Sequence, residues 1–116
     1  MRHIKLHSPS IKTNIRSIIE EELGDREELF EKSVTYNQRF VTIYVFEEYF
    51  FRINSTLSVT VILEQGENGS TIDLISSGAK IGLGDVTYGA EKASLKPIVE
   101  KLVEAGFEID EPKNEE

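Results

Sequence analysis

Residues 40–53 read FVTIYVFEEYFFRI. The odd positions (Val41, Ile43, Val45, Glu47, Tyr49, Phe51, Ile53) are apolar almost throughout, whereas the even positions (Phe40, Thr42, Tyr44, Phe46, Glu48, Phe50, Arg52) are mixed. Alternation of β-branched and aromatic residues at period two marks a strand with one buried face. On this pattern the odd face goes to the core, and the even face is partly covered or sits in a groove. Glu47-Glu48 does not interrupt the run. A tight hairpin needs Gly, Asn or Asp at positive φ, and the apolar parity stays in phase across the pair. One long strand is expected, bent by a bulge near Glu47.

The flanking segments supply its neighbours. Residues 29–36 form a strand with Phe30, Val34 and Tyr36 on one side and Ser33 and Thr35 on the other, followed by a turn at Asn37-Gln38-Arg39. After a turn at Asn54-Ser55, Leu57, Val59, Val61 and Leu63 alternate with Ser58, Thr60, Ile62 and Glu64, a half-buried strand. The loop QGENGS (65–70) leads to a returning strand over 71–76 with Ile72 and Leu74 inward. These four strands make an antiparallel meander.

A short strand over residues 1–6 precedes them. Ser8 is placed to cap a helix and Pro9 to occupy its first position, where a missing N–H costs nothing. Ile11, Ile15, Ile18, Ile19 and Leu23 then form one apolar stripe, and Gly24 can end the helix in the left-handed conformation. Glu20, Glu21 and Glu22 lie near its C-terminus, where the macrodipole disfavours them; a solvated face accounts for them. At the other end of the chain Leu95, Ile98, Val99, Leu102 and Val103 mark a second amphipathic helix, ended by Gly106. It begins near Ser94, or near Ala90 with a kink at Pro97. Phe107 and Ile109 fold back on the core.

The order β-α-β-β-β-β-α predicts a single α+β domain over residues 1–109. It is a two-layer sandwich, an antiparallel sheet of four to five strands with both helices on one face. An acidic tail, 110–116, is expected to be disordered.

At 116 residues the chain is long enough to bury a core without metal or disulfides. It has no cysteine, which removes thiol catalysis and cysteine metal sites and suits the cytoplasm. A net charge of −8 would repel a phosphate backbone or an anionic membrane surface, so neither nucleic acid nor membrane is an expected partner. No apolar run is long enough to span a bilayer.

Candidate chemistry is sparse. His3 and His7 share a strand face but stand roughly 13 Å apart at about 3.3 Å per residue, too far for one metal ion. Glu47 and Glu48 point to opposite faces and cannot share acid and base roles. Glu47, on the apolar face, would need a cationic partner such as Arg52, or a bulge that turns it outward. Residues 76–85 (SSGAKIGLGD) combine glycines, serines and a lysine before a helix, as phosphate-holding loops do, but the spacing fits no nucleotide fingerprint. No catalytic residue, metal ligand or cofactor is assigned.

A long antiparallel sheet with a C-terminal helix is similar to helix-grip folds that hold apolar ligands, a likeness of layout that carries over no site residues. More closely, YFFRINSTLSVTVIL (49–63), SSGAK (76–80) and YGAE (88–91) resemble a family of small uncharacterised bacterial domains, over roughly residues 40–102. That resemblance implies domain boundaries and no assigned activity.

Two functions follow as expectations. The first is a non-catalytic binding or interaction module, joined to a protein partner or to further copies of itself through an open sheet face or edge strand. Its motive is the apolar set Phe40, Phe46, Phe50 and Ile62 on the second face of the sheet. The second is a small-molecule carrier or enzyme with an apolar pocket between sheet and C-terminal helix, gated by residues 77–89. Its ligand-binding residues would be Tyr49, Phe51, Gly78, Lys80, Gly82 and Gly84.

Overall fold

The computed structural model describes residues 2–10, 14–50, 55–78 and 95–110. Its elements are β1 (Arg2–Ser8), α1 (Ile15–Leu23), β2 (Glu27–Tyr36), β3 (Arg39–Phe50), β4 (Ser55–Gly66), β5 (Gly69–Gly78), a helix α2 described over 95–104, and β6 (Glu108–Ile109). The class is α+β. The sheet has six strands in the order β2-β3-β4-β5-β1-β6, every pair antiparallel, not the four to five expected. The sixth is the two-residue β6, too short to announce itself by periodicity.

β4 sets the facing of the whole sheet. Its odd residues Leu57, Val59, Val61 and Leu63 are buried, as alternation predicts, and residues directly opposite across a ladder share a face. The register pairs Leu63 with Ile72, Val61 with Leu74, and these with Leu6 and Ile4 of β1. It also pairs Leu63, Val61 and Val59 with Thr42, Tyr44 and Phe46. The even face of β3 is therefore the core face. The expectation that Val41, Ile43 and Val45 face the core is reversed, because alternation fixes a period and not a direction, and both faces of this strand are apolar enough to be buried. Phe46 is in the core, Phe40 shares its parity, and only Ile62 of the expected second-face set lies on the other side; the Phe50 side chain lies outside what is described.

Both helices lay their apolar residues on that one face. Ile15, Ile19 and Leu23 of α1, and Leu95, Ile98 and Leu102 of α2, join Leu6, Tyr44, Val61, Leu74 and Phe107 in a single core cluster. Tyr44 and Phe46 stack with ring centroids 5.9 Å apart, an arrangement worth about 0.5–1.5 kcal/mol beyond burial.

The ends of the helices depart from expectation in part. Ser8 does not cap α1: it is buried at the end of β1, opposite Ser70, and the helix is described from Ile15 with Asn14 before it. The chain must first leave the sheet before it can turn back over it. Gly24 ends α1 in the right-handed region (φ −70°, ψ −14°), so it is not the left-handed stop that was expected. Glycine fits there for space, since a Cβ would lie 2.2 Å from the Glu20 carbonyl oxygen. The acidic last turn is balanced by Arg26, whose Nη1 donates to the Glu22 carbonyl at 3.0 Å and whose Nε meets Glu48 at 2.8 Å.

α2 ends as the sequence predicts. Gly106 has φ 108°, its N–H donates to Val103 O, and the N–H of Phe107 donates to Leu102 O, both at 3.0 Å. This paired closure turns Phe107 into the core beside Leu102. Ile109 stays 49% exposed on β6, contrary to expectation, because only an edge pairing with Leu6 holds it. Asp110 belongs to the fold: its N–H donates to Lys5 O at 2.8 Å. β3 runs unbroken past Glu47-Glu48, as expected, but the bulge is in β2, between Glu28 and Phe30.

Candidate interaction surface

Among the described residues, the helices leave one sheet face open and one long edge without a neighbouring strand. β2 occupies that edge, and all ten of its residues are exposed. Its neighbour joins it by a two-residue turn, Asn37-Gln38, with φ 50° and 63°, the paired positive angles of a tight hairpin turn. Such a turn closes with a bond from the N–H of Arg39 to the carbonyl of Tyr36. The antiparallel ladder then alternates, so Val34 and Lys32 point their backbone groups at β3, and Thr35, Ser33 and Glu31 point theirs outward. The Ser33 and Thr42 hydroxyls, 3.0 Å apart, show the close side-chain approach that belongs to the second kind of pair. Among the described residues, no strand pairs with the outer side of β2.

The two faces of β2 differ in chemistry. On the open face Phe30, Lys32, Val34 and Tyr36 stand beside Val45, Ile43, Val41 and Arg39 of β3, three apolar side chains around one lysine; Tyr36 is 68% exposed and Phe30 48%. Ile43 and Ile62 continue this apolar area, half-buried by their neighbours. On the helix-facing side β2 carries Glu28 and Glu31. Glu31 pairs with Arg16 of α1 at 2.6 Å, and the Arg16 guanidinium lies 5.6 Å from the centroid of the Tyr44 ring. Partial desolvation, and then the Glu31 carboxylate beside it, push Glu28 above the usual carboxylate range. Burial raises the phenol of Tyr44, with Arg16 opposing; Tyr44 is 1% exposed and its hydroxyl has no hydrogen-bond partner among the described residues.

The far half of the open face, on β5, β1 and β6, is polar apart from Ile75, which stands between Thr60 and His3. His3 meets Asp73 at 2.8 Å, and His7 lies against Asp110 and Glu108. Among the described residues no group of three or more potential ligands is arranged to hold a metal ion. No described helix is long and apolar enough to cross a membrane.

No protein-family model matches the chain, and no curated protein does. The surface must be read from its own chemistry.

The residues expected to line a pocket are not brought together in what is described. Tyr49 is 47% exposed and pairs with Thr56, on the face away from the helices. Gly78 is the last residue of β5, opposite Leu57. Phe51, Lys80, Gly82 and Gly84 lie outside the described residues, as do most of the 77–89 loop and Arg52. Glu47 is half-buried on the open face and Glu48 is on the helix side, opposite faces as alternation requires. What sequence reasoning missed is the acidic stripe of β2. Its signal was present in EELFEKSVTY, where Glu28 and Glu31 flank the apolar residues.

Proposed function

We propose that this chain is a non-catalytic interaction module that binds another protein chain through the β2 edge and the apolar area beside it. One observation carries the reading. Among the described residues eight large apolar side chains are exposed, and four of them, Leu29, Phe30, Val34 and Tyr36, lie on β2, a long edge strand of the sheet. Long unpaired edges template pairing with other chains, and exposed apolar patches mark interaction sites. The reading places the chain in the cytoplasm.

Native mass spectrometry of the protein isolated from its own cells tests this reading. A partner chain or a second copy is expected to stay bound to the wild type and to be lost from Val34→Lys, which replaces an apolar contact with a second lysine beside Lys32. A bare monomer in both samples contradicts the proposal. A retained small molecule contradicts it too, in favour of a pocket.

A further inference from the structure

We infer that the occupant of the β2 edge is an extended segment of a partner protein with alternating basic and apolar residues, added to the sheet as a seventh strand. The inference rests on the interaction-module reading and specifies its partner. Three features of β2 select that chemistry.

The first is the backbone. From the bulge at Glu28/Phe30 to the turn at Asn37, residues 30–36 form a regular edge, about 20 Å long at roughly 3.4 Å per residue. Glu31, Ser33 and Thr35 present outward N–H and C=O groups along it, which an incoming strand can pair.

The second is the side-chain alternation. A strand beside β2 places every other residue over the open face, next to Phe30, Lys32, Val34 and Tyr36, where apolar side chains pack on the three apolar residues and on the aliphatic stem of the lysine. The intervening residues fall on the helix side, next to Glu28 and Glu31.

The third is the charge on that helix side. Among the described residues, Glu20, Glu28 and Glu31 gather there around Arg16, which is already paired with Glu31. The buried Tyr44 hydroxyl, without a partner among the described residues, feels the same charges. Lysine or arginine side chains would meet this excess of carboxylates. A second copy of this chain would not: its own β2 carries no lysine or arginine on that side, only Glu28, Glu31, Ser33 and Thr35, and each copy carries a net charge of −8.

The probe is a fluorescein-labelled acetyl-(Lys-Val)4-amide peptide, read by anisotropy. Controls are a peptide of the same composition in blocks, (Lys)4(Val)4, and the acidic (Glu-Val)4. The alternating basic peptide is expected to bind more tightly than either control. Thr35→Pro removes an outward N–H at a position where an edge strand tolerates proline, and should weaken binding at least about tenfold. Glu28→Lys, at an exposed site, should weaken it about fivefold. An unchanged unfolding midpoint in either variant shows that the fold is intact. Binding insensitive to both variants overturns the inference, since the site would lie elsewhere. Preference for (Glu-Val)4, or self-association lost in Thr35→Pro, also overturns it but leaves the module reading standing. No binding of any peptide and no self-association overturns both.

Discussion

Replacing Gly69 by alanine is expected to lower the unfolding free energy by about 3–4 kcal/mol. Gly69 opens β5 with φ 116°, a region that side chains rarely adopt, and a Cβ there would sit 2.1 Å from the Ser8 carbonyl oxygen and 2.8 Å from the Pro9 carbonyl carbon. Neither obstacle can move cheaply, because both are backbone. The β4–β5 hairpin passes so close to the exit of β1 that Ser70 Oγ donates to Ser10 O at 3.1 Å. Alanine must push the two segments apart or distort the turn. The control is Gly66→Ala on the facing strand, where the nearest atoms are 3.4 Å away on the flexible Arg39 side chain. That change should cost less than about 1 kcal/mol. Urea unfolding of the two variants measures the difference, and a loss below about 1 kcal/mol for Gly69→Ala contradicts the close approach.

Tyr44 is the second position where a large effect is expected, and its two parts act in opposite directions. Tyr44→Ala removes a fully buried ring that stacks on Phe46 and underlies Arg16, and should destabilise by about 3–5 kcal/mol. Tyr44→Phe keeps the ring and removes only the hydroxyl. A buried hydroxyl that finds no partner among the described residues opposes folding, so the phenylalanine variant should be as stable as the wild type or more stable by about 1 kcal/mol. Both values come from the same urea titration. A loss of more than about 1 kcal/mol for Tyr44→Phe would show that the hydroxyl is bonded in solution.

These two residues show what the sequence could and could not display. The β4 alternation predicted four buried residues, and the hairpin partners Ile72 and Leu74 followed from it. The end of α2 at Gly106 was legible because a glycine follows the helix stripe, but that the left-handed turn is taken there and not at Gly24 was not. The facing of β3 was not legible. Its odd face is built of β-branched residues and its even face carries Tyr44 and Phe46, so either suits a core, and only the register with β4 decides. The candidate surface was half visible. Phe30, Val34 and Tyr36 were correctly placed on one side of a strand, but that side is solvent-facing because the helices cover the other face, a property of the whole fold. The outward amides of β2 depend on the phase set by the Asn37-Gln38 turn, which residue identities do not reveal.

Amide hydrogen exchange along β2, resolved residue by residue in the dilute protein and again with its partner bound, tests the open edge most directly. The account predicts slow exchange at Lys32 and Val34, whose N–H groups pair with β3, and fast exchange at Glu31, Ser33 and Thr35. Partner binding should then protect those three. Slow exchange at all five positions in the dilute protein, or no added protection at the three on binding, would contradict it.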